Sequence, residues 1–120
     1  MAVRILVVED STLISSALRI LFESSGYEVD VAETAGDAVK AGIALPPDVV
    51  LLDLTLPDAD GLTVLTQLRA HDVNPVLSLA MTGHDDAATH ARCLAAGCDE
   101  VLVKPVPARE LLRIIGERLT

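Results

Sequence analysis

Along the chain, short unbroken apolar runs alternate with longer stretches in which apolar residues recur every three or four positions. The run from Val3 to Val8 is rich in β-branched residues and Leu, the composition of a strand buried on both faces, and Val49 to Leu52 and Val76 to Met81 repeat it. Glu28 to Ala32 and Asp99 to Val103 are more mixed in polarity, which suits strands nearer the edges of a sheet. Between the first two strands Ile14, Ala17, Leu18, Leu21 and Phe22 follow the spacing of one helix face, with Asp10 or Ser11 as the cap and Gly26 as the terminator. Thr34 and Asp37 form a capping box before Ala38, Val39 and Ile43, and Leu62, Leu65 and Leu68 mark a third helix after Gly61. Asp85 or Asp86 can cap a fourth, Ala-rich helix ending near Gly97, and Ala108, Leu111, Leu112, Ile115 and Leu119 stripe a fifth.

Strict alternation of strand and helix with short connections predicts an α/β fold: a five-stranded parallel sheet covered by helices on both faces. The expected arrangement is a flavodoxin-like doubly wound fold of order 2-1-3-4-5, with residues 1–120 as a single domain. Such sheets bind ligands beyond the carboxyl ends of the strands, near the switch point between the first and third strands.

Composition narrows the function. Hydrophobic residues make up 51% of the chain but aromatic residues only 2%, which argues against base stacking on aromatic platforms. Nine Lys and Arg against eighteen Asp and Glu give a net charge of -9, which repels a phosphate backbone and argues against direct nucleic-acid binding. No apolar run approaches membrane-spanning length and no signal-peptide succession opens the chain, so the cytoplasm is the expected location. Cys93 and Cys98 lack a zinc-type cluster around them and read as small buried apolar side chains.

The chemistry collects at the strand ends. Glu9 and Asp10 follow the first strand, Asp53 ends the third, Thr82 follows the fourth, and Lys104 follows the fifth, before Pro105. Singly, each has a plain structural reading: Asp10 as a helix cap, Thr82 as a cap of the fourth helix, Lys104 as a surface cation. On neighbouring strands ~4.8 Å apart they share one rim instead. Two carboxylates ~5 Å apart repel by ~3 kcal/mol at an effective dielectric of ~20, so three need a cation, a shared proton or Lys104 to coexist ionised. Too few side-chain oxygens are present for a calcium cage, whereas Mg2+ takes one or two carboxylates and shares a phosphate oxygen. A carboxylate between such an ion and an ammonium can attack phosphorus, which makes Asp53 the candidate nucleophile. Thr82 can donate its hydroxyl to a phosphoryl oxygen, and Gly83 leaves room for a donor.

With these residues in place, the chain resembles the receiver domains of two-component response regulators along its whole length. The resemblance is carried by Val7-Val8-Glu9-Asp10-Ser11, by the segment from Leu51 to Gly61 that reads LLDLTLPDADG, by Met81-Thr82-Gly83 and by Val103-Lys104-Pro105. It implies that Asp53 accepts a phosphoryl group from a histidine of a sensor kinase or a histidine phosphotransfer protein. It further implies that Asp10, Asp53 and the backbone carbonyl of Thr55 bind Mg2+ with Glu9 helping through water, and that Lys104-Pro105 is cis. An output domain, fused or separate, is an implied partner, and the domain would promote its own phosphorylation and dephosphorylation rather than turn over a substrate.

Two positions depart from the family pattern. Glu9 stands where Asp is common, which lengthens an acidic arm without changing its charge. Val101 stands where an aromatic ring usually reports the approach of the threonine, and a valine has no ring to swing, so either the fourth-helix region moves with Thr82 by another route or the receiver passes phosphate onward, with a relay or single-domain regulator the favoured reading. Thr55 and His84 occupy positions that in the family flank the path of water to the phosphoaspartate, so they can tune its lifetime; His84 reads equally as an ordinary loop imidazole. His71 and His90 read as surface residues. Three rivals fit less well: a flavodoxin-like flavin module, which needs a hydroxyl- and Gly-rich loop after the first strand where this chain has Glu9 and Asp10, an aspartyl phosphohydrolase, which usually carries its nucleophile on the first strand, and an unphosphorylated pseudo-receiver that serves only as an interaction module, against which the intact acid cluster argues.

Overall fold

The computed structural model describes residues 2–119. Five strands, β1 (Arg4–Val8), β2 (Glu28–Ala32), β3 (Val49–Asp53), β4 (Leu77–Thr82) and β5 (Glu100–Val103), alternate with five helices, α1 (Thr12–Ser24), α2 (Ala35–Ala44), α3 (Leu62–Ala70), α4 (Ala87–Ala95) and α5 (Ala108–Arg118). All strand pairs are parallel and the order is β2-β1-β3-β4-β5, as expected from the alternation. Among the described residues, no helix is long and apolar enough to cross a membrane.

The continuous apolar runs become the inner strands because both faces of the sheet are covered. Alternate residues of β1 and β3 serve opposite cores. Leu6, Val8, Val50 and Leu52 pack with Val39 of α2, Leu65 and Leu68 of α3 and Cys93 of α4. Ile5, Val7, Val49 and Leu51 pack with Phe22 of α1 and Leu111, Ile114 and Ile115 of α5. The mixed-polarity strands β2 and β5 form the edges.

Several element ends differ from the sequence expectation for identifiable reasons. β4 begins at Leu77, not Val76, which is 65% exposed, and β5 begins at Glu100 because Asp99 turns its carboxylate to accept from the Ser78 amide at 2.7 Å. In α1 the inward face is rotated from the expected stripe: Ser15 and Phe22 are buried, Leu18 and Leu21 are half-buried, and Ile14 and Ala17 are exposed. Phe22, the largest side chain in the helix, sets the rotation, and the small hydroxyl of Ser15 fits inside by donating to the Thr12 carbonyl. Ile43 of α2 likewise stays 40% exposed. Ser11 is the cap of α1 and Asp86 the cap of α4, each accepting from the amide three residues on.

The fourth helix is lightly seated, with Cys93 its one buried residue. Gly97 follows at φ +99°, a conformation that favours glycine, and its amide and that of Cys98 return to Leu94 and Cys93 carbonyls to close the helix. Arg69 of α3 donates to the Ala96 carbonyl in the same turn. Cys93 and Cys98 are free and buried, and burial pushes both thiols up, Cys98 to about 12.

Candidate functional site

The parallel register carries the polar residues to one rim. Val8 pairs with Leu52, Asp53 with Met81 and Thr82 with Val103, so Glu9, Asp53, Thr82 and Lys104 lie at or one residue beyond paired strand ends. The chain is held there by backbone bonds across strands: the Glu9 amide donates to Ala32, that of Leu54 to Met81 and that of Lys104 to Thr82.

Asp53 is 5% exposed and both its oxygens are engaged. Oδ1 accepts from the Thr55 amide at 3.0 Å, and Oδ2 accepts from Lys104 Nζ at 2.8 Å. Glu9 is 2% exposed, with Oε1 accepting from the Ser11 amide at 3.3 Å and Oε2 left 3.6 Å from Lys104 Nζ, without a hydrogen bond. Carboxylate oxygens of Glu9, Asp10 and Asp53 lie within 4.8 Å of one another, and Asp10 is exposed. Burial, then the hydrogen bond and charge of Asp53, push the Glu9 carboxyl up to about 7 against the pull of Lys104 and the Ser11 amide. Burial works to lower Lys104, but the hydrogen bond and charge of Asp53, with Glu9, outweigh it and hold the ammonium above its ordinary range. The cluster carries more negative charge than one ammonium neutralises, and an orphaned buried carboxylate oxygen points into it; a hard cation fits both conditions.

Thr82 is buried, and its Oγ1 accepts from the His84 amide at 3.0 Å, so it turns the loop after β4 rather than capping α4. His84 is exposed and lines, with Thr55, Thr82, Thr89 and Arg92, a cavity of about 420 Å³ beside the rim. Val101 pairs with Ala80 in β5 and is half-buried against the core on the α2–α4 side. The Lys104-Pro105 peptide is cis. His71 is exposed with Nδ1 2.9 Å from the Gln67 carbonyl, whereas His90 is half-buried with Nε2 3.5 Å from Asp85.

Sequence reasoning gave no individual role to Asp58 or Asp60, which help to shape the loop between β3 and α3. Thr55 and Asp60 form an isolated antiparallel bridge, and the Gly61 amide donates back to Leu54 at 2.8 Å, closing the loop on itself. Asp60 accepts from the Leu62 amide and pairs with Arg92 of α4. Asp58 accepts from the Ala35 and Gly36 amides of α2. The contacts of Asp58 with α2 and of Asp60 with Arg92 span 22 to 32 residues, and no local pattern announces them.

A sequence pattern described as the response regulator receiver domain matches residues 5–116. This chain belongs to that family. The transcriptional regulatory protein KdpE of Mycobacterium tuberculosis is 40% identical to it over 108 residues, which are 90% of this chain and 47% of that protein. The receiver thus spans about half the length of the curated relatives it matches. Among solved structures, a CheY-like response regulator receiver domain from Methanospirillum hungatei is similar with a TM-score of 0.86 and 36% identity, covering 99% of this chain and 94% of that one. The receiver domain of a Pseudomonas aeruginosa sensor histidine kinase, with a magnesium ion in its active-site cleft, matches with a TM-score of 0.85 and 29% identity over 98% of this chain and 97% of that one. The protein is therefore a phospho-accepting receiver domain with a signalling role.

Proposed function

We propose that Asp53 is the phosphoacceptor, and that its donor is a phosphohistidine of a sensor histidine kinase or histidine phosphotransfer protein. The observation that carries this reading is the buried Asp53 carboxylate held 2.8 Å from Lys104 Nζ beside two further carboxylates. An Asp53 oxygen attacks phosphorus, the bond from phosphorus to the histidine nitrogen breaks, and the departing imidazole takes up a proton. Lys104 can exchange its carboxylate contact for a phosphoryl oxygen, and the Thr82 hydroxyl, now accepting from His84, keeps its own proton to donate. Asp10, Asp53 and the Thr55 carbonyl would hold Mg2+, with Glu9 acting through water. Bound there, Mg2+ supplies positive charge against the transferring group. Thr55 and His84 would tune the phosphoryl lifetime from the wall of the cavity. An apolar cleft of about 390 Å³ that has Lys104 in its wall, with Ile14, Leu18, Met81, Pro105 and Leu111 around it, suits an apolar helix face of a protein donor.

The domain would promote its own phosphorylation and dephosphorylation in the cytoplasm as a switch or relay, not as a turnover enzyme. Val101 favours a relay or single-domain regulator, with any output domain fused or separate. The intact acid cluster weighs against a pseudo-receiver. Incubation with acetyl phosphate and Mg2+ is expected to add the mass of one phosphoryl group, and chelation to prevent it. No added mass in the presence of Mg2+ would sink the reading.

Two further results are expected. Lys104→Ala should slow phosphorylation by ~10²-fold, as loss of one charge-stabilising donor does, while Mg2+ binding measured by calorimetry at pH 8 remains. Loss of the fold would instead make Lys104 a structural residue. In chelator, Glu9 carries a folded pKa of about 7 against 4.5 for an ordinary Glu, so the folded state binds the extra proton between those values. Its effect on stability is neutral below 4.5, grows unfavourable as pH rises, and is complete above 7. Metal-free protein should therefore melt lower at pH 8 than at pH 6, and Glu9→Gln should reduce that difference in a thermal scan; an unchanged difference would contradict the shift.

A further inference from the structure

We propose that Asp58 is a positioning residue for phosphoryl transfer, holding the loop between β3 and α3 in place through the first turn of α2. The inference rests on the reading of Asp53 as acceptor. A helix leaves its first amides without intrahelical partners. In α2 these donors are divided between two sources: the Asp37 amide goes to Thr34 Oγ1 at 3.1 Å, whereas those of Ala35 and Gly36 go to Asp58 Oδ1 at 2.8 Å and Oδ2 at 3.1 Å. Thr34 caps the helix from its own chain neighbourhood. Asp58 reaches it from a loop 22 residues away, so the same bonds that finish α2 fix the loop.

What the loop carries makes this consequential. Asp58 lies at the turn enclosed by the Thr55–Asp60 bridge and the Gly61-to-Leu54 bond. The Thr55 amide in that loop donates to Asp53 Oδ1, so the position of the loop bears directly on the orientation of the acceptor carboxylate. The Ala35 amide, then that of Gly36, hold the Asp58 carboxyl below its ordinary range, so it is ionised throughout the neutral region. Negative charge at the start of a helix is the favourable sign for the helix dipole. α2 itself is a firm support: Ala38 and Val39 are buried in the core, and Gly42 lies against Leu68 of α3.

The test compares Asp58→Ala, Asp58→Asn and Thr34→Ala with the unaltered protein. Amide hydrogen exchange is followed at Thr55 and Gly61 in metal-free protein, and phosphorylation by acetyl phosphate with Mg2+ is followed by intact mass. Asp58→Ala is expected to speed exchange at both amides and to slow phosphorylation, each by roughly threefold to thirtyfold, the range set by loss of one capping group. Asp58→Asn, which keeps an acceptor oxygen, should recover part of both. Thr34→Ala removes a cap from the same helix without touching the loop, so it should lower the melting temperature while leaving both readouts near their original values. Unchanged loop exchange in Asp58→Ala, or equal slowing of phosphorylation by Thr34→Ala, would overturn the proposal. If the unaltered protein takes no phosphate, Asp53 as acceptor fails, and the exchange contrast alone still decides whether Asp58 holds the loop.

Discussion

Asp53→Asn is expected to abolish phosphorylation by acetyl phosphate, with the rate reduced by more than about 10⁴-fold, because a carboxamide supplies no anionic oxygen to attack phosphorus. The variant should remain folded. Its Oδ1 can still accept from the Thr55 amide, now at 3.0 Å, and the loss of the 2.8 Å contact with Lys104 is balanced by relief of Glu9, whose pKa is raised in part by the hydrogen bond and charge of Asp53. In chelator at pH 8 its melting temperature should therefore equal or exceed that of the unaltered protein. Mg2+ affinity should fall by at least roughly tenfold, since changes merely behind a ligand already cost that much. Intact mass, calorimetry and a thermal scan measure the three effects. Phosphate that still adds to Asp53→Asn would place the acceptor elsewhere, and undiminished Mg2+ affinity would remove Asp53 from the ligand set.

The rim was legible in the sequence because it depends on strand order and register. Once Val3 to Val8, Val49 to Leu52 and Val76 to Met81 read as inner parallel strands, Glu9, Asp53 and Thr82 had to emerge together, and β1, β3 and β4 pair in that way. The helix faces were less legible. Ile14 fits the apolar spacing of α1 as well as Phe22 does, yet Phe22 is fully buried and Ile14 is 42% exposed, because volume and the shape of the opposing sheet decide the rotation. Least legible were the ties that shape the site: Asp58 to α2, Asp60 to Arg92, and Arg69 to the end of α4. Each joins residues distant in sequence through polar contacts with no periodic signal. Val101 marks a different limit, since its half-buried place in β5 is plain while any route from the rim to an output depends on a second state of the domain.

Gly61→Ala is expected to damage both fold and site, for a reason that lies in close approach and not in backbone torsion. Gly61 has φ -55° and ψ -30°, which any residue adopts, and its place before α3 would by itself accept alanine. The obstacle is that a Cβ there would sit 2.2 Å from the Asp53 carbonyl oxygen and 3.1 Å from Leu54 Cα, both backbone atoms that cannot rotate away. The loop must lift from β3, which breaks the 2.8 Å bond from the Gly61 amide to Leu54 and moves the Thr55 amide off Asp53. Overpacking of this kind is worth about 3 kcal/mol, a fall in melting temperature of roughly 10 °C for a domain of this size. Phosphorylation should fall with it, even at temperatures where the variant is folded. Gly83→Ala is the control, because a Cβ at Gly83 meets nothing within 4 Å, and its melting temperature should match that of the unaltered protein. Should Gly61→Ala melt and accept phosphate as the original does, the loop is not held against β3 in the way that its backbone contacts require, and the Asp53 carboxylate must be oriented by Lys104 alone.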